Sequence, residues 1–147
     1  MFLMNTEKYR ASLSPVDDDK IRELSPVALA FIGDTVFDLY VRAYLVKNKM
    51  GRIETLHRLS SGVVNARAQA QAARLLQPHL TERESEIFRL GKNAKSAPPK
   101  NACHEDYSFA TAIEAVIGYL HLTGRTQRVE EFFGHIISHF FGGSEDA

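Results

Sequence analysis

The stretch Ala28-Leu29-Ala30-Phe31-Ile32-Gly33-Asp34-Thr35-Val36-Phe37 decides the fold, because it is apolar enough for a core yet carries one acid near its centre. Just before it, Ser25 followed by Pro26 reads as a helix start. A serine oxygen can accept from the free N–H groups of a first turn, and proline is preset for the first helical position. Leu29, Ile32, Val36, Leu39, Ala43 and Val46 then recur at alternating steps of three and four, which predicts a helix with those residues as its core stripe. Asp34 falls inside that helix. Aspartate is poor there because its side chain competes for backbone hydrogen bonds. An unpaired carboxylate in apolar surroundings costs several kcal/mol or takes up a proton.

The same anomaly returns in Phe109-Ala110-Thr111-Ala112-Ile113-Glu114-Ala115-Val116-Ile117-Gly118-Tyr119-Leu120, where Glu114 is the sole charged residue. Each stretch also carries a glycine, Gly33 and Gly118. A mid-helix glycine costs about 1 kcal/mol relative to alanine, a cost offset where two backbones must approach closely. The two helices are therefore expected to pack together and bring Asp34 near Glu114. Two like charges in an apolar cleft repel, and a divalent cation resolves the conflict. Oxygen ligands without histidine or cysteine point to Mg²⁺, with Mn²⁺ as the other candidate. The spacing also admits a plainer reading, in which Arg42 or Arg67 neutralises Asp34. Asp38, one turn on, reads as a solvated or supporting residue.

Outward from these helices, the pattern is helical throughout. A short helix fits 53–59. An alanine-rich one fits 62–77 and stops at Pro78. Thr81 and Glu84 form a capping-box pattern for a helix ending near Gly91. A last amphipathic helix fits 125–140, and nothing reads as a strand. The expected fold class is all-α with about six helices, organised as an arm over 1–24, a helical catalytic domain over 25–141 and a tail over 142–147. The first twenty or so residues lack periodicity and read as extended or frayed.

At 147 residues and 44% hydrophobic, the chain can bury one core. The one cysteine, Cys103, excludes a disulfide framework or a cysteine zinc cluster within the chain. No leader-like or membrane-spanning apolar run is seen, so a cytoplasmic protein with no membrane partner is expected. Eighteen basic residues balance eighteen acidic ones, which argues weakly against a nucleic-acid partner. Their distribution argues the other way. Between Phe88 and His104 there is no acid, while Arg89, Lys92, Lys95 and Lys100 are basic. The segment 92–101, rich in proline and small polar residues, reads as a loop. His135 and His139 share a helical face but lack the carboxylate companion of a metalloprotease motif.

Phe31-Ile32-Gly33-Asp34-Thr35-Val36 resembles the F-L-G-D-x-V/I signature of the ribonuclease III family. Thr111-Ala112-Ile113-Glu114-Ala115-Val116-Ile117-Gly118 resembles that family's second acidic motif, and the likeness runs from Ser25 to Phe140. Two positions depart from the family. Ala30 stands where a glutamate is usual, and Thr111 where an aspartate is usual. These departures, the short chain and the basic stretch 91–101 are similar to the Mini-ribonuclease III subgroup. The resemblance implies a homodimeric, Mg²⁺-dependent endoribonuclease cutting double-stranded RNA, in the subgroup precursor 23S ribosomal RNA. It makes Asp34 and Glu114 the catalytic metal ligands, and it makes Lys92, Asn93, Lys95 and Lys100 the RNA-binding loop. A catalytically inactive, structural RNA-binding relative is the alternative, against which both acids speak. A nucleotide phosphohydrolase would carry denser carboxylate clusters.

Overall fold

The computed structural model describes residues 5–48, 50–94 and 97–142. Over these residues the chain forms seven α-helices and no strand: α1 (Glu7–Ser12), α2 (Pro26–Lys47), α3 (Ile53–Ser61), α4 (Ala66–Leu76), α5 (Glu82–Lys92), α6 (His104–Leu122) and α7 (Thr126–Phe141). Short 3₁₀ turns cover Asp18–Glu23 and Gln77–His79. The all-α class holds, with one helix more than six.

Helix α6 is the axis of the molecule. Apart from Glu114, every residue from Phe109 to Leu120 is buried, as expected of a helix that is apolar all round. Helices α2, α5 and α4 cover it most extensively. Helix α2 begins as its sequence dictates, with the Ser25 hydroxyl accepting from Ala28 N–H at 3.0 Å. Helix α5 begins with a complete capping box. Thr81 Oγ1 accepts from Glu84 N–H at 3.2 Å, and Glu84 Oε1 accepts from Thr81 N–H at 3.0 Å. The α6–α7 connection turns at Gly124, whose φ of 75° suits glycine.

Several boundaries and faces differ from expectation. Helix α4 starts at Ala66, because Asn65 caps it by accepting from Ala68 N–H at 2.9 Å. Helix α6 starts at His104, five residues ahead of its apolar run from Phe109. Along α2 the buried face is Leu29, Ala30, Gly33, Val36, Phe37, Val41 and Leu45. Leu39 and Val46, expected inside, are each 62% exposed. The helix is apolar on nearly every side, so its spacing alone does not select the face that α6 covers. The segment before Ser25 contributes to the core: Ile21 is buried, and Val16 N–H donates to Leu122 C=O at 2.7 Å.

Candidate active site

The site begins at a backbone contact. A Cβ added to Gly33 would overlap the carbonyl oxygen of Glu114, and one added to Gly118 would overlap that of Leu29 and stand 3.1 Å from Gly33 N. The two glycines thus lie at an antiparallel crossing of α2 and α6 that no side chain could enter. The expected close packing is found, and it sets Asp34 beside Glu114.

The two acids differ in setting. Asp34 is exposed, contrary to a reading that places it in buried surroundings, whereas Glu114 is largely buried. Burial, a hydrogen bond with the Asp34 side chain and repulsion from its charge push the Glu114 carboxyl up to about 9. At neutral pH and without a cation, Glu114 therefore holds its proton and donates it to Asp34. Neither acid forms an ion pair among the described residues. Arg42, a candidate neutraliser, instead pairs with Asp38 at 2.8 Å, and Arg67 is exposed with no ion pair among the described residues.

Both acids open into a cleft of about 360 Å³. Ala30 and Thr111, the two neutral departures, lie on its wall. The Thr111 hydroxyl is turned back on its own helix, donating to Tyr107 C=O at 2.9 Å. Among the described residues no third His, Cys, Asp or Glu joins the pair. Two carboxyl groups side by side, one of them largely buried and unpaired with any base, suit a divalent cation of the Mg²⁺ or Mn²⁺ kind once both are ionised.

The cleft also contains residues to which sequence reasoning assigns no role: Phe31, Gln69, Pro99, Ala102 and Tyr107. For Phe31 the signal is its place in the Asp34 motif. Gln69 has no local signal, since Gln71 sits in the same alternating pattern.

Of the predicted RNA-binding residues, Lys92, Asn93 and Lys100 are not among those that line the cleft. Lys92 ends α5 rather than starting a loop, and its ammonium stands 4.5 Å from the Phe109 ring centroid. Asn93 is the C-cap of α5, and Lys100 is exposed in a turn. Lys95 lies outside the described residues. Cys103 is an exposed free thiol.

A family model described as the Ribonuclease III domain matches residues 27–125. With the helical fold and the paired acids, that match defines the class: an endoribonuclease, a hydrolase acting on RNA. The chain belongs to the ribonuclease III family and, within it, to the Mini-ribonuclease 3 group. It is 38% identical to Mini-ribonuclease 3 of Desulfitobacterium hafniense, covering 85% of this chain and 78% of that one. It is 40% identical to Mini-ribonuclease 3 of Staphylococcus aureus, covering 82% and 92%, and 40% identical to that of Synechocystis, covering 87% and 88%. A crystal structure of a Fusobacterium nucleatum protein superposes with a TM-score of 0.74 at 29% identity, covering 82% of this chain and 97% of that one.

Proposed function

We propose that this chain cuts both strands of double-stranded RNA as a homodimer, with Mg²⁺ (or Mn²⁺) held by Asp34 and Glu114, and that it matures precursor 23S ribosomal RNA in the cytoplasm. The observation that carries the reading is the convergence of those two acids in one open cleft at the Gly33–Gly118 crossing. The likeness to Mini-ribonuclease 3 proteins supports the substrate class. An exposed, unpaired thiol at Cys103 suits a reducing compartment.

Asp34, exposed at the cleft, would supply one carboxylate to a bound cation. Glu114 would serve as the second ligand, with its carboxyl proton released to solvent. When bound, the cation supplies an activated water and stabilises charge on the phosphate in flight. Ala30 and Thr111 contribute no charge, so the remaining ligands would have to come from water and RNA phosphate. Hydrolysis leaves a 5′-phosphate and a 3′-hydroxyl.

The decisive comparison is wild type against Asp34→Asn on duplex RNA with Mg²⁺. Wild type is expected to give staggered cuts and the variant none, with melting temperature preserved. Cleavage by the variant at the wild-type rate refutes the assignment. Lys92, Asn93, Lys95 and Lys100 are proposed to grip phosphates, since A-form RNA is recognised mainly through backbone and shape. Replacing the three lysines with alanine is expected to lower affinity and flatten its dependence on salt, by a slope of about 0.7–0.9 per lost contact. An unchanged slope in a salt titration removes this segment from the RNA surface.

A further inference from the structure

An RNA strand entering the cleft brings phosphate charge towards two acids. Among the described residues no lysine or arginine lines the cleft to offset it. Donors must come from elsewhere on its wall, and the structure offers them on one side. Ala66, the first residue of α4, lines the cleft. The helix therefore presents its N-terminal end there, where free N–H groups and the helix dipole favour an anion. Asn65 caps Ala68 N–H, while the N–H groups of Ala66 and Arg67 have no acceptor among the described residues.

A second observation points to the same place. Gln69, one turn further along α4, also lines the cleft and is only 5% exposed. Its Nε2 is buried with no hydrogen-bond partner among the described residues. A buried donor left unsatisfied is destabilising, so a residue there for packing alone would better be apolar. Rotation about the last side-chain bond exchanges Nε2 and Oε1 at little cost, so the carboxamide can present its N–H₂ to the cleft. The Thr111 hydroxyl is already committed to Tyr107.

We propose that the N-terminal turn of α4 and the Gln69 carboxamide form the phosphate-holding wall of the cleft, receiving a backbone phosphate of the strand to be cut. The assignment rests on the ribonuclease reading above and adds a substrate contact inside the cleft. Gln69 supplies a neutral donor, so it receives the anion without pairing with, and thereby disabling, Asp34 or Glu114.

The test uses the full chain as wild type, Gln69→Leu and Gln69→Glu, with steady-state cleavage of a short labelled RNA duplex in Mg²⁺ and thermal melting alongside. Gln69→Leu is expected to melt no lower than wild type, because it removes an unmet donor. Its KM is expected to rise roughly tenfold or more, the value of a hydrogen bond to a charged group, with a smaller change in kcat. Gln69→Glu, nearly the same shape, is expected to lose more, because a third acid then faces the phosphate. It decides the matter if Gln69→Leu folds poorly. Wild-type KM in both variants overturns the assignment. So does a Gln69→Glu variant that keeps its KM and needs less Mg²⁺, which would place Gln69 among the cation's ligands. A wild-type chain that leaves the duplex intact overturns the ribonuclease reading together with this assignment.

Discussion

Glu84 is 4% exposed, and its carboxylate is held from two directions. Thr81 donates its backbone N–H, and Arg128 donates Nε at 2.9 Å to one oxygen and Nη2 at 2.8 Å to the other. Burial alone would raise the Glu84 pKa, but the Arg128 and Thr81 hydrogen bonds and the Arg128 charge outweigh it and hold the group below its ordinary 4.5. A carboxyl with a lowered folded-state pKa adds stability above its unfolded value, and that stability is lost as pH falls through the folded value. Wild type is therefore expected to lose melting temperature below about pH 4.5 more steeply than Glu84→Gln does. Parallel acid limbs for the two proteins would show that the pair contributes nothing to acid stability. Arg128→Ala leaves the acid buried without its base and is expected to cost about 3 kcal/mol at neutral pH. At this scale the sequence was most legible where a residue contradicts its neighbours: Asp34 and Glu114 are charges in apolar runs. Gln69 contradicts nothing nearby. Arg67, Gln69 and Gln71 alternate with alanines in the same way, and only the tertiary fold decides which of them meets the cleft.

Between elements, the crossing of α2 and α6 sets the geometry of the acids. Gly33→Ala gains about 1 kcal/mol of helix propensity. It also drives a Cβ into the Glu114 backbone, where overpacking of this kind costs about 3 kcal/mol. The net expectation is a destabilised protein whose carboxylates are spread apart, with cleavage reduced further than the loss of folded protein explains. Denaturant unfolding and activity on the same samples check this, and a variant as stable and active as wild type would show that the contact is not tight. Helix starts set by local chemistry, such as the Ser25 cap and the Thr81–Glu84 box, were readable because both partners lie within four residues. The face of α2 was not. Leu39 and Val46 look as apolar as Val41 and Leu45, and only contact with α6 separates them.

On the scale of the whole molecule, two of the apolar side chains that face water, Phe31 and Val27, line the cleft. Phe31 is 77% exposed on its rim, and Val27, Leu24 and Leu90 are also exposed. Leu24 and Leu90 border a further apolar hollow with Ile21, Pro26, Leu29 and Ile87. A large exposed aromatic beside such a hollow suits contact with a second copy of the chain. Phe31→Arg is expected to sediment as a monomer under conditions where wild type is dimeric, and to lose cleavage with it. A variant that remains a dimer places the contact elsewhere. The Gly33–Gly118 contact has a consequence for redesign. Two helices locked backbone to backbone leave no room to slide, so the half of the cleft that carries the acids behaves as a fixed anvil. An altered taste in RNA shape would have to be written on the opposing parts, the first turn of α4 and the 97–103 segment.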